Sequence, residues 1–135
     1  MSYKIEDIEG IGETYGRKLR ERGIATTNEL LEHGATKKGR HHIAELTGIP
    51  ESLILTWVNH ADLFRIDGIA AQFAELLEAA GVDTVKELAQ RNAENLHVKL
   101  IETNDKLGIT GKVPSAETLQ QMIDQAKVLA PKLTY

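Results

Sequence analysis

The constraint that weighs most on this chain is an internal repeat. Residues 8–31, IEGIGETYGRKLRERGIATTNELL, return as IDGIAAQFAELLEAAGVDTVKELA at residues 66–89, shifted by 58 positions without a gap. Each copy sets a Gly-Ile pair between apolar positions, then a small residue and a leucine at helical spacing, then a glycine, a β-branched residue and a threonine. Apolar residues three and four apart build one face of a helix, glycine ends it and threonine opens the next, so each copy predicts helix, tight turn, helix. The copies diverge where a ligand would be met. Gly12, Arg17, Lys18, Arg20 and Arg22 in the first stand against Ala70, Glu75, Leu76, Glu78 and Ala80 in the second.

Turn signals fall at Gly23, Gly34, Gly48-Ile49-Pro50, Gly68, Gly81, Gly108, Gly111 and Val113-Pro114, and the stretches between them have helical spacing. In residues 13–22, Tyr15, Gly16 and Leu19 share a face and Gly23 supplies the C-cap. Thr27 is expected to cap a short helix through Leu30 and Leu31. A helix through Ile43, Ala44 and Leu46 follows. The next is opened by Pro50, whose missing N–H is harmless in a first turn, and buries Leu53, Ile54, Trp57, Val58 and Ala61. The second half predicts helices near 71–80, 84–91, 93–103 and 115–130. Its last helix matches the last of the first half, Ile54, Trp57, Val58 and Ala61 corresponding to Leu119, Met122, Ile123 and Ala126 at a shift of 65. The extra residues fall in NDKLGITGK, 104–112, a polar, glycine-rich stretch expected to be a mobile loop. No segment alternates with period two. The expected class is all-α, with one unit over 1–62 and a second over 63–135, packed as one body. Trp57 and Phe64 flank the junction and are expected to join the halves; an exposed Trp57 would instead mark a protein-binding patch.

Composition narrows the function classes. The 135 residues are 41% apolar, enough for a core. No apolar run is long enough to span a bilayer and the start lacks the layout of a signal peptide, so a cytoplasmic protein is expected, with no membrane partner. The lack of cysteine removes disulfides, thiol catalysis and cysteine-ligated zinc. A net charge of −4 argues against coating nucleic acid by bulk electrostatics. The distribution is less hostile than the sum: residues 17–42 hold Arg17, Lys18, Arg20, Arg22, Lys37, Lys38 and Arg40 against Glu21, Glu29 and Glu32. A local surplus of this kind serves a phosphate site or simply solvates a helix face.

The residues Gly10, Ile11, Gly12, Gly16 and Leu19 resemble the helix-hairpin-helix motif, in which glycine, an apolar residue and glycine join two helices ahead of a small residue and a leucine. The continuation through Gly23-Ile24 and Thr27 to Leu30, with Arg17-Lys18, is similar to hairpins of X-family DNA polymerases. The wider layout, with a second hairpin at LTGIPESLI, resembles the duplicated domain at the start of RecA-like recombinases. Over the whole length, ATKKGRHHIAELTGI, WVNHADLFRIDGI, LLEAAGVDTVKELAQRN and VPSAETLQQMIDQAKVL resemble a bacterial family of small tandem helix-hairpin-helix proteins known as a domain of unknown function. The resemblance implies two tandem double-hairpin (SAM-like) units related by duplication. It also implies that the turn carbonyls of the first hairpin could hold a monovalent cation bridging to a phosphate. No other cofactor is expected.

Physical chemistry supports a phosphate site at the first hairpin. Gly10 and Gly12 strip side chains from the turn and let the backbone approach a ligand. The helix starting near Glu13 adds unpaired amides and the positive end of its dipole. Arg17 and Lys18 would reach neighbouring phosphates, giving weak contacts that position DNA or RNA without reading its sequence. Lys37, Lys38 and Arg40 would extend that surface. Against this stand Glu13 in the first helical turn and Glu6, Asp7 and Glu9 before it, an acidic collar. The plainer alternative is that both glycines only permit close helix packing. The second hairpin, with Ala70, Glu75 and Glu78, is not expected to bind phosphate.

Other constellations are weaker. His41 and His42 point about 100° apart on a helix, with only Glu45 at ligand spacing, so no metal site is expected. GITGKV at 108–113 lacks the glycine spacing of a phosphate-binding loop and has Val113 where a magnesium-binding hydroxyl belongs. No nucleophile or paired carboxylates suggest catalysis, and no small-molecule substrate is evident. The expectation is a non-catalytic binding module for nucleic-acid backbone. The alternative is a protein-interaction adaptor that binds no nucleic acid.

Overall fold

The computed structural model describes residues 2–135. A 3-10 turn at Ile5–Asp7 leads into α1 (Gly12–Arg20), α2 (Thr27–His33), α3 (Lys37–Thr47) and α4 (Glu51–Leu63); α5 (Ala71–Ala79), α6 (Val85–Ala89), α7 (Ala93–Leu107) and α8 (Ala116–Val128) follow. The protein is all-α; the one β contact among the described residues is an isolated antiparallel bridge between Lys4 and Thr26. No helix of the described residues is long and apolar enough to cross a membrane.

Side-chain caps explain most helix starts. The Thr26 hydroxyl accepts the Glu29 amide at 3.2 Å while the Glu29 carboxylate takes the Thr26 amide at 3.1 Å, closing a capping box on α2. The cap is therefore Thr26 and not Thr27. Thr27 is buried and pairs with the N-terminal segment, its amide donating to Tyr3 O at 2.8 Å and its hydroxyl accepting the Tyr3 amide at 3.1 Å. Thr36, Thr84, Asn92 and Ser115 cap α3, α6, α7 and α8, each worth about 1 kcal/mol. Pro50 stands at the N-cap of α4, just outside the first turn.

The loop expected over 104–112 starts later. Asn104, Asp105, Lys106 and Leu107 continue α7, and Gly108 at φ +62° ends it. Asp105 and Lys106 are exposed, on a helix whose inner side is held by Leu100 and Thr103. The Asn104 side chain then closes the turn, its Oδ1 accepting the Thr110 amide and its Nδ2 donating to Thr110 O, both at 2.9 Å.

Helices α2 and α3 pack on α4, α6 and α7 pack on α8, and α4 meets α5. One apolar core runs through both halves, from Ile5, Ile8, Ile11 and Leu19 through Ile54 and Leu63 to Ile66, Ile69, Leu76 and Leu77. A Cβ on Gly10 would stand 3.6 Å from Trp57 Nε1, and one on Gly68 would stand 3.1 Å from Met122 Cε. Gly10 thus faces α4 and Gly68 faces α8. Trp57 is buried, which removes it as an exposed docking patch. It lies 5.2 Å from Tyr15, and Phe64 meets Tyr3 edge-on at 5.2 Å. These two aromatics therefore bind the N-terminal segment and α1 to α4.

Polar side chains cross between the halves. Asp62 Oδ1 accepts Arg65 Nη1 at 2.8 Å and Oδ2 accepts the first-turn amide of α6, from Val85, at 2.8 Å. Arg65 Nη2 donates to Ala130 O at 2.7 Å, and His60 Nε2 meets Glu78 Oε2 at 3.0 Å. Asp62 is 3% exposed, so removing it strands the Val85 amide and the Arg65 charge. Asp62→Ala is expected to cost roughly 3–5 kcal/mol, while Asp62→Asn, which keeps an acceptor, costs less. Urea unfolding measures both, and a wild-type midpoint for Asp62→Ala would refute the anchoring role.

Candidate functional site

The turn over residues 8–12 is held from below. Ile8 and Ile11 are each 1% exposed and pin the chain to the core. Glu9, Gly10 and Gly12 are left at the surface. Ile11, placed in the site by its sequence position, can offer only its backbone to a ligand. Gly10 sits at φ +92° and Gly12 at φ +63°. Among the described residues nothing lies within 4 Å of where a Gly12 Cβ would be, so it is the left-handed backbone that calls for glycine there.

The start of α1 is bare. No side chain caps it, and the amides of Gly12, Glu13 and Thr14 have no hydrogen-bond partner among the described residues. Five other helices are capped by Ser, Thr or Asn. Helices α4 and α5 also start without a side-chain cap, but at Ala70, before α5, the backbone is extended, φ −131°, where Gly12 is left-handed. The two turns therefore deliver the chain into their second helices differently.

Arg17 and Lys18 are exposed on α1 and take part in no salt bridge among the described residues. Arg20 is committed elsewhere. Its guanidinium grips Glu6 with two bonds, Nη2 to Oε1 at 2.5 Å and Nε to Oε2 at 2.8 Å. The hydrogen bond from Arg20 holds the Glu6 carboxyl below its usual range. A Cβ on Gly16 would fall 2.5 Å from Glu6 Oε2, which explains the small residue at that position. The acidic collar is thus partly disarmed: Glu6 is paired, Asp7 Oδ2 accepts the Lys4 amide at 3.2 Å, and Glu9 and Glu13 stay exposed. Of the turn carbonyls that a monovalent cation would use, that of Ile8 accepts the Ile11 amide at 3.4 Å.

The second basic stretch divides. Lys37 and Lys38 are exposed in the first turn of α3. Arg40, expected beside them at the surface, is 3% exposed. Its Nη1 donates to Gly34 O at 2.8 Å and its Nη2 to Thr134 O at 2.7 Å, and the guanidinium lies 5.7 Å from the centre of the Tyr135 ring. The reason is helical register: position 40 lies one turn from Ile43, on the face of α3 turned toward the core. As folded, Arg40 is not part of the exposed surface. Helix α1 packs chiefly on the 3-10 turn and α3 on α4 and α2, so the two basic stretches rest on different supports.

His41 Nε2 lies 2.9 Å from Glu45 Oε1 and Nδ1 lies 2.8 Å from Glu51 Oε1. Two carboxylate partners require both ring nitrogens to donate, and the Glu51 hydrogen bond, with the charges of Glu45 and Glu51, raises the imidazole pKa. No group of three or more His, Asp or Glu residues able to hold a metal occurs among the described residues. At the junction, burial raises the Asp83 carboxyl, helped by the negative charges of Glu87, Glu78 and Asp62. Neither this cluster nor the Glu6–Arg20 clasp has a spacing signal, since their members come from separate elements.

A family model for a domain of unknown function, DUF4332, matches residues 9–129, from the turn before α1 to just past α8. The chain belongs to the DUF4332 family. The match spans all eight DUF4332 helices described above, while the Glu6 side of the clasp and residues 130–135 lie outside it. No curated protein and no solved structure matches the chain.

The His41 clasp yields a sign-specific expectation. With its folded pKa raised, His41 contributes stability fully below the ordinary histidine value of about 6.5 and loses that contribution as pH rises through the folded value. An NMR titration should place His41 above the ordinary value, and Glu51→Gln should bring it down. A wild-type value at or below about 6.5 would contradict the paired geometry.

Proposed function

We propose that the protein is a non-catalytic module that holds the phosphate backbone of DNA or RNA, without reading sequence, at its first hairpin. The observation that carries this reading is the bare start of α1. Among the described residues the amides of Gly12, Glu13 and Thr14 have no partner and Arg17 and Lys18 form no salt bridge, and two glycines leave the turn open. Along α1, Gly12 and Arg17 are separated by about 7.5 Å. Phosphates of one strand follow one another about every 3.4 Å along the duplex axis and stand farther apart through space, so such a span reaches from one phosphate to the next. An anion at the turn and its neighbour could therefore be held together. The Glu6–Arg20 pair favours the reading by neutralising one carboxylate of the collar, although Glu9 and Glu13 stay exposed.

The fold behind this proposal is a tandem pair of helix-hairpin-helix units, 1–62 and 63–135, descended from one duplicated sequence. Its support lies in equivalences across the halves: Gly10 against Trp57 and Gly68 against Met122, Thr26 and Thr84 as caps, and α4 and α8 each receiving two helices. In this reading the first hairpin binds and the second, with Ala70 and Glu75, only folds.

Affinity should be modest, with Kd of about 10⁻⁴ to 10⁻⁶ M, and steeply dependent on salt. In titrations of labelled duplex and single-stranded DNA, Arg17→Ala/Lys18→Ala should weaken binding at least about tenfold at low salt. It should also reduce the slope of log K against log salt by about two, one for each lost charge. Wild-type protein that fails to bind at low salt, or a double variant that binds equally well, overturns the proposal. Either result would leave the rival adaptor role, to which the net charge of −4 is better suited.

A further inference from the structure

After α8 the chain turns back on itself. Residues 129–135 follow the second half, yet most of their polar contacts are with the first. Arg65 donates to Ala130 O, the Thr134 amide donates to Ala35 O at 2.8 Å, Arg40 donates to Thr134 O, and the Tyr135 hydroxyl donates to Asn59 Oδ1 at 3.2 Å. Leu129 and Leu133 are only partly buried against the core, and Tyr135 is 67% exposed. A handful of hydrogen bonds, largely to main-chain atoms, opposes the entropy of ordering seven residues. These terms are of similar size, so the segment is poised to detach without unfolding the helices.

What it covers is Arg40. This guanidinium is buried with two carbonyl oxygens as its hydrogen-bond acceptors, and one of the two belongs to the segment. The aromatic face over it belongs to the segment as well. A cavity of about 260 Å³ beside it is lined by Lys37, Glu51, Ser52, Leu55 and Tyr135. Glu51, the carboxylate there, is held by His41. If residues 129–135 lift away, Arg40 keeps Gly34 O and turns its other nitrogen to a solvent-open cavity next to Lys37. A phosphate oxygen placed where Thr134 O had been would make a charge-assisted bond, stronger than the one it replaces.

We propose that Arg40 is a concealed phosphate-binding residue, and that residues 129–135 form a strap that keeps it closed. The proposal rests on the phosphate-backbone reading above for its biological ligand, and adds a second, gated contact to it. With the strap in place the Lys37–Lys38 surface has two cations; with the strap lifted it has three.

The test uses the full chain and inorganic phosphate as probe, with the Arg40 Nε–H signal followed by ¹⁵N NMR in wild type and in Leu133→Ser/Thr134→Pro/Tyr135→Ala. The triple variant should show a saturable shift at Arg40 where wild type shows little, and adding Arg40→Gln should abolish phosphate-dependent shifts at neighbouring amides. With duplex DNA, the strap variant should steepen the salt slope by about one. No phosphate response in a cooperatively folded triple variant, or an equal response in both proteins, overturns the proposal. If the triple variant does not fold, hydrogen exchange of the Thr134 amide in wild type decides: exchange faster than that of the α4 core amides supports a detachable strap, and equal protection refutes it. A phosphate response at Arg40 with no DNA binding by any form would sink the nucleic-acid reading and leave the strap standing.

Discussion

Four isoleucines carry the architecture. Ile8 and Ile11 in the first half and Ile66 and Ile69 in the second are all at or below 1% exposed. Each pair grips a turn at two points three residues apart. Burying each side chain is worth about 1.5–3 kcal/mol, enough to fix the local path of the chain. With both isoleucines held down, the residues between them are forced outward, and Gly10 and Gly68 take positive φ at +92° and +89°. The exposed, side-chain-free turn at Gly10 is thus a consequence of core packing beneath it. Helix α1 inherits its bare N-terminus from the same constraint, because a chain leaving Gly12 at positive φ presents the buried Ile11 where a capping side chain would stand.

The relation between the halves has a different basis. Asp62, Arg65, His60 and Arg40 bring charged or titratable groups into places where apolar residues would cost less. Buried ionic contacts contribute little net stability, but they tolerate few alternative geometries. Asp62 ties the end of α4 to the first turn of α6, and Arg65 ties it to the chain beyond α8. His60 keeps one cost visible: its Nδ1 is buried and has no hydrogen-bond partner among the described residues. These groups set how the second half sits on the first, while the apolar core supplies the energy that holds it there.

Much of the fold was legible in the chain because its signals are local. The Gly-Ile turns, the apolar faces of α4 and α8 and the glycine stops each involve residues within a few positions of one another. The chain is ambiguous where one residue's local chemistry suits two placements. Thr26 and Thr27 both suit an N-cap, and only the bridge to Tyr3 draws Thr27 inward. Asn104, Asp105 and Lys106 look like loop residues, yet they continue α7, whose inner face is held by Leu100 and Thr103. At the candidate site, Gly10, Gly12, Arg17 and Lys18 are exposed. Arg40 is buried instead, turned inward by the register of α3 and covered by Thr134 and Tyr135, more than ninety residues away.

By itself the sequence determined the helical class, the places where helices begin and end within a few residues, and the asymmetry between a basic first copy and an acidic second. Those properties follow from hydrophobic period, backbone preference and charge, each of which is carried by short stretches of chain. The tertiary structure alone decided which charges remain available. Glu6 and Arg20 neutralise each other across fourteen positions, His41 is enclosed by two glutamates, and Arg40 lies under a segment that returns from the far end of the chain. Composition counts each of these as a free surface charge. Whether a charge can meet a ligand depends on what packs beside it, and that is set only when distant parts of the chain come together.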